Sequence, residues 1–257
     1  MRCFKVLLLL FVVISCKKET KYPIEVKQFY KNGNIQQHYF LDKDSLQTNY
    51  FKSHYNSGQL ETYVEMRYGI MDGHYENFYN NGVLKIKGEY KDGFKDGKFI
   101  MFHKNNTPEV EVNFIKDKIV GEALFYDDKS RFVYYKNYNN LGDLRYRLTL
   151  DTLGVVVEEK GDKISSVSLN VESESLVYKN NLQIFLNFAH PPTCKQTIYT
   201  KLNGIVKDST TVSSINYDYK VLPTDLGNNK LEIFVDYSCE DYKLKSDYFT
   251  IDFEVVE

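Results

Sequence analysis

The sequence predicts an all-β protein in two parts, an elongated antiparallel sheet of β-hairpin repeats followed by a β-sandwich. Three observations carry this expectation. Three registers of turn-forming residues share one period between residues 30 and 121. Within a period, apolar and polar residues alternate as they do on a half-buried strand. Beyond residue 160, short apolar runs are separated by turn signals. The 257 residues are 42% hydrophobic and 26% charged, enough to build a core and unlike a disordered tail. Lys and Arg number 33 against 35 Asp and Glu, so no basic nucleic-acid surface is expected. Five prolines are too few for collagen-like or polyproline architectures.

Residues 1–15 read as a leader. Arg2 and Lys5 make a basic start, Val6 to Ile14 carry no charge, and Ser15 precedes Cys16. Nine apolar residues span about 14 Å as a helix, less than half a bilayer core, which suits a signal peptide and not a membrane span. Val13-Ile14-Ser15-Cys16 resembles the bacterial lipobox, whose cysteine is lipidated on sulfur and becomes the new N-terminus. The resemblance implies Cys16 as the lipidation site and residues 16–28 as the lipidated cysteine and tether. It also implies more than one acyl chain, which gives stable anchoring where a single chain does not. Lys17 follows, not the Asp of inner-membrane retention, so the expected address is the bacterial cell envelope at the outer membrane. An ordinary secretory signal with a chance cysteine is the alternative.

The repeats occupy 29–158. Tyr30-Lys31-Asn32-Gly33, Tyr55-Asn56-Ser57-Gly58 and Tyr79-Asn80-Asn81-Gly82 each precede an aliphatic side. His103-Lys104-Asn105-Asn106 continues the register with Asn for Gly. A degraded copy starts at Tyr126, and a last one at Tyr138 carries one insertion, after which the repeat is lost past Thr149. Gly73, Gly97 and Gly121 keep the same period, as do Gly69, Gly93 and then Asp117. Gly33, Gly58, Gly73, Gly82, Gly97 and Gly121 are the expected repeat turns, with Gly93 to Gly97 as a return turn. Leu84, Ile86, Gly88 and Tyr90 alternate onto one face against Lys85, Lys87 and Glu89 on the other. One such unit cannot bury a face alone, so neighbours must stack.

The pattern resembles the MORN repeat, in the variant form found in proteins often labelled antitoxin components. It covers 29–150 and is strongest over 55–121. The resemblance implies an elongated sheet of successive antiparallel hairpins, in a family whose members have been linked to lipid and to protein partners.

Residues 159–257 read as a separate β-sandwich, after a linker at Gly161-Asp162-Lys163 with Ser165 and Ser166. Strands are expected at 167–171, 182–188, 196–201, 211–219, 231–237 and 248–256. Turns are expected at Pro191-Pro192, Asn203-Gly204, Pro223 and Gly227-Asn228-Asn229. The alternation from Leu231 to Val235 and the run from Phe249 resemble the last two strands of bacterial immunoglobulin-like domains. Once Cys3 is discarded and Cys16 modified, Cys194 and Cys239 remain, and two cysteines in an oxidising compartment are most simply a disulfide. The immunoglobulin-like resemblance places them at neighbouring ends of paired strands. Two unrelated thiols are the alternative.

No catalytic constellation emerges. His38, His54, His74 and His103 lack ligand spacing; His54 and His103 stand where other copies carry Phe or Tyr, and His190 precedes two prolines without a partner. The paired acids Asp127-Asp128 and Glu158-Glu159 sit at turn and linker positions. No metal and no cofactor are expected. Aromatics make up 15% of the chain and fall on both faces of any hairpin, more than a one-layer sheet can bury. They are either cross-strand ladders or a contact surface, with Tyr55, Tyr79, Phe78 and Phe102 as the candidate binding aromatics. The expected function is a non-enzymatic, lipid-anchored envelope protein that presents a β-repeat surface to a protein partner, with no nucleic acid. An immunity or antitoxin-type inhibitor of an envelope toxin is the alternative.

Overall fold

The computed structural model describes residues 23–44, 46–169, 175–177, 182–213, 216–221 and 225–256. The leader, Cys16 and Pro223 lie outside the described residues. Every regular element among those described is a strand, as the two periodicities require.

The first part is a meander. Strands β1 (Ile24–Phe29), β2 (Ile35–Leu41), β3 (Gln47–His54), β4 (Leu60–Arg67), β5 (Ile70–Phe78), β6 (Leu84–Lys91), β7 (Phe94–Lys95), β8 (Gly97–Phe102), β9 (Pro108–Ile115), β10 (Lys118–Tyr126), β11 (Phe132–Tyr138), β12 (Leu144–Leu150) and β13 (Val156–Gly161) form one 13-stranded antiparallel sheet. β6 alternates half-buried and exposed along its whole length, as the Leu84–Tyr90 pattern requires.

Two kinds of turn alternate between the sheet's edges. On one edge, Gly82 N donates to Tyr79 O at 2.9 Å and Tyr79 N to Val83 O at 2.8 Å, with Gly82 at φ +84°. That closing left-handed residue is why glycine recurs at this position. Asn81 does not share its φ. Its Oδ1 instead accepts Val83 N at 3.1 Å. Asn106 (φ 67°) and Ser130 (φ 62°) fill the glycine position in later copies. The fifth copy therefore starts at Asp127 and not at Tyr126, since Ser130 N donates to Asp127 O. The copy expected at Tyr138 is a turn from Asn139 to Gly142 on the opposite edge, without an insertion. The true sixth copy is Asp151–Gly154, where Gly154 N donates to Asp151 O. Turn starts thus fall at 30, 55, 79, 103, 127 and 151. Sequence reading missed the last because Asp151 carries no ring.

On the other edge, Tyr68-Gly69, Asp92-Gly93 and Lys116-Asp117 are two-residue turns with both residues at positive φ. The return turn is therefore Asp92-Gly93, and Gly73, Gly97 and Gly121 are not turns. Gly73 and Gly121 lie inside β5 and β10 where the ladder slips register, and Gly97 opens β8, where pairing with β6 shifts after β7. They are bulge glycines at φ +120°, +84° and +66°. At Gly73 the bulge is closed by Glu65, whose Oε2 accepts His74 N at 2.9 Å.

The second part is a two-sheet sandwich. β14 (Ile164–Leu169), β16 (Leu182–Phe188) and β19 (Asn216–Val221) form one sheet. β15 (Ser175–Val177), β21 (Asp247–Val256), β20 (Gly227–Cys239), β17 (Cys194–Leu202) and β18 (Ile205–Val212) form the other. Leu182, Ile184, Leu186 and Phe188 of one sheet pack on Ile198, Leu231, Ile233 and Val235 of the other. The expected 211–219 strand is two strands in different sheets. Asn203-Gly204 turns the chain so tightly that β18 already starts at Ile205. Gly227-Asn228-Asn229, expected as a turn, opens β20 and pairs with β21. Cys194 and Cys239 are paired positions of β17 and β20 and are bridged, with Cα atoms 3.9 Å apart.

The expected linker is occupied by strand: β13 ends at Gly161 and β14 begins at Ile164. Tyr135, Tyr146, Leu148 and Leu150 of the sheet bury against Ala189, Cys194 and Tyr242 of the sandwich. Lys163, 5% exposed, pairs with Glu159 at 2.5 Å between the rings of Tyr146 and Tyr237.

Candidate functional site

Paired residues of an antiparallel sheet share a face. One face carries a continuous spine: Tyr39, Phe51, Val64 and Tyr75 are successive partners across β2 to β5. Phe99, 1% exposed, continues it by lying over Gly88, where a Cβ would overlap its ring. Phe99 then pairs with Val112, and Val112 with Ala123. Tyr75, Tyr90, Phe99 and Phe114 meet edge to face at 5.2–5.8 Å. The Lys95 ammonium covers Phe99 and Phe114 at 5.7 and 5.1 Å. Burial raises the Tyr75 and Tyr90 hydroxyls above the ordinary tyrosine range, with nearby Glu61 and Tyr75 respectively adding to it.

The recurrent turn aromatics tie copies together. Tyr30 Oη donates to His54 O at 2.7 Å, Tyr55 Oη to Phe78 O at 2.7 Å and Tyr79 Oη to Phe102 O at 2.8 Å. His103 Nε2 lies 3.0 Å from Tyr126 O in the same place. The four candidate binding aromatics are therefore two stapled pairs, and His103 substitutes for a tyrosine as its register suggests. Later turns lose the ring and cap themselves: Asp127 Oδ1 accepts Lys129 N and Arg131 N, and Asp151 Oδ1 accepts Leu153 N and Val155 N. The Arg131 side chain holds the Asp127 carboxyl below the usual range. Glu158 pairs with Arg147 and Glu159 with Lys163, so the second acid pair splits between two cations.

A groove opens beside the spine. Phe51, Val64, Met66, Ile70 and Met71, with Gly69 and Gly93 at the turns, line a groove of about 460 Å³. Ile70 is exposed on its rim. Register explains the opening. Met71 stands 24 positions before Lys95, the lysine that covers the rings of the following copy. Without that cover the apolar surface stays accessible. Sequence reading did not single out Met66, Ile70 or Met71. The signal was there as a difference between copies, a methionine where the next has lysine.

Among the described residues no helix is long and apolar enough to cross a membrane, and no three His, Cys, Asp or Glu side chains cluster as metal ligands.

The MORN repeat variant family model matches residues 24–42 and 71–92. The first segment is the β1–β2 hairpin and the second is nearly all of the β5–β6 hairpin, each closed by a tyrosine-to-glycine turn. The chain is similar to that family over these hairpins, one of them at the N-terminal end where the sequence pattern is weak. No curated protein matches the chain.

Proposed function

We propose that this is a non-catalytic cell-envelope protein, held at the outer membrane through lipid on Cys16, whose repeat sheet presents an apolar groove to a protein partner. The groove at Phe51, Val64, Met66, Ile70 and Met71 carries the reading. The following copy covers the same face with Lys95, and an apolar concavity on a sheet suits an inserted apolar side chain of a partner. The sandwich serves as spacer or second adhesive module. The lipobox-like leader supports the anchor, and the stapled turns support the rigid platform.

The test is crosslinking in intact cells followed by pull-down, comparing wild type with Met71→Lys. That substitution installs the residue the next copy carries, so the fold tolerates it. A band present in wild type and lost in Met71→Lys is expected; the same bands in both would overturn the groove reading. A toxin domain in that band would select the immunity-type alternative. Cys16→Ala should leave the membrane fraction, and retention after a carbonate wash would reject the anchor.

A further inference from the structure

The 13-stranded sheet ends at β1, whose one neighbour among the described residues is β2. An open strand edge is a template for a further strand, and proteins blunt it with a proline, a bulge or charge. Ile24–Phe29 holds no proline, and the register shift beside Phe29 is taken up by an extra residue of β2. Its charges, Glu25 and Lys27, are opposite in sign and half-exposed. Phe29, 58% exposed, ends the strand with its ring largely in water.

The first turn sets which main-chain groups are open. Tyr30 N donates to Asn34 O at 2.8 Å and Tyr30 O accepts Gly33 N at 3.0 Å, so both groups of Tyr30 face β2. Alternation along the strand turns those of Gln28, Val26 and Ile24 the same way. Those of Glu25, Lys27 and Phe29 are left on the open side. A further strand bonds through these, so an antiparallel pairing of β1 with itself is confined to alternate registers. One of them sets Glu25 opposite Glu25 of the second copy, and another sets Lys27 opposite Lys27, each a pair of like charges. The register between them centres on Val26 and sets each Glu25 opposite Lys27 of the other copy.

We propose that β1 pairs antiparallel with β1 of a second copy of this chain, about a two-fold axis at Val26. Glu25 and Lys27 then supply both the exchanged main-chain bonds and opposite charges across the junction. Val26, the partner of Tyr39 at the end of the spine, meets its own copy, so the spine face runs on through the junction. Phe29 comes opposite Pro23, whose carbonyl accepts the Phe29 N–H and which has no N–H to return, so the ladder stops there. The same strand serves both copies, which closes the assembly at two. Six residues a side make a small interface, so the association is a weak one and is read by covalent trapping. The proposal is independent of the groove.

The full chain carrying Val26→Cys is oxidised at increasing concentration and run on a non-reducing gel beside wild type, which keeps the same native cysteines. Position 26 and its copy form a non-hydrogen-bonded pair, with Cα atoms about 4.5 Å apart and within disulfide reach. A trapped dimer absent from wild type is expected. Glu25→Cys and Lys27→Cys should each stay monomeric, and a mixture of the two should give a crosslinked heterodimer. Lys27→Glu added to Val26→Cys should cut the trapped fraction at least about fivefold, and Glu25→Lys with Lys27→Glu should restore it. Should Val26→Cys fail to fold, the mixture of Glu25→Cys and Lys27→Cys decides alone. No dimer from Val26→Cys, as a head-to-tail pairing of β1 with β13 would give, would overturn the proposal. So would equal yields from the three single variants, or trapping unmoved by Lys27→Glu.

Discussion

Replacing Tyr79 with Phe deletes one oxygen and tests whether the turn tyrosines hold the sheet together. The hydroxyl donates to Phe102 O at 2.8 Å, linking the turn at 79 to the end of the strand before the turn at 103. The ring stays, and with it the Lys85 and Lys104 ammonium groups at 5.6 and 5.9 Å. The loss is therefore one neutral hydrogen bond, with a carbonyl left half-exposed and not orphaned, or about 1 kcal/mol. For a chain of this size that corresponds to about 2–4 °C in melting temperature. Tyr55→Phe, which frees Phe78 O, should cost the same, and the double variant about the sum, because each staple spans a different pair of turns. Urea unfolding read by circular dichroism measures this, with midpoints shifting at constant slope. Tyr68→Phe, at a 71% exposed turn on the opposite edge, is the control and should fall within about 0.5 kcal/mol of wild type. If Tyr79→Phe and Tyr55→Phe were as silent as Tyr68→Phe, stapling would not explain the register. Loss of crosslinking in those same variants would then return the tyrosines to a binding role.

Three further perturbations follow from particular contacts. Ser130→Gly should stabilise the protein by up to about 1 kcal/mol, since the left-handed φ of 62° costs an L-residue more than glycine loses in the unfolded chain; a lower urea midpoint would contradict this. Lys163→Ala should cost about 3–5 kcal/mol by leaving Glu159 without its partner, and Lys163→Met with Glu159→Gln should recover much of it; equal stability of the two variants would refute a buried pair. Burial, then the charges of Lys52 and His38, holds the His54 imidazole below its ordinary value. The unfolded chain takes up that proton first, so stability present above the ordinary histidine pKa is lost as pH falls toward the lower folded value. His54→Phe, the residue of the next two copies, should flatten the urea midpoint between pH 7 and pH 5, and an unchanged slope would clear His54 of the effect.

The parts of this fold that were legible are those where one residue type answers one local demand. The 24-residue period and the alternation of β6 are of this kind, because a left-handed closing residue and a half-buried strand each leave a mark in the chain. Cys194 and Cys239 were legible because two cysteines at strand ends have few ways to pair. Legibility failed where the same residue serves two demands. Gly82 and Gly97 share φ +84°, yet one closes a turn and the other relaxes a bulge. The sixth copy was hidden for the converse reason, that Asp151 caps its turn by itself where Tyr79 reaches across to a neighbour.

The candidate groove was hidden by repetition itself. A repeat makes every copy look functional or none, so the informative positions are those where one copy departs from the rest. Met71 against Lys95 is a difference between adjacent copies, and it has meaning only once Lys95 is seen lying over Phe99 and Phe114. There the chemistry lies in what a neighbour does or fails to supply, and that is set by register across strands and not by spacing along the chain.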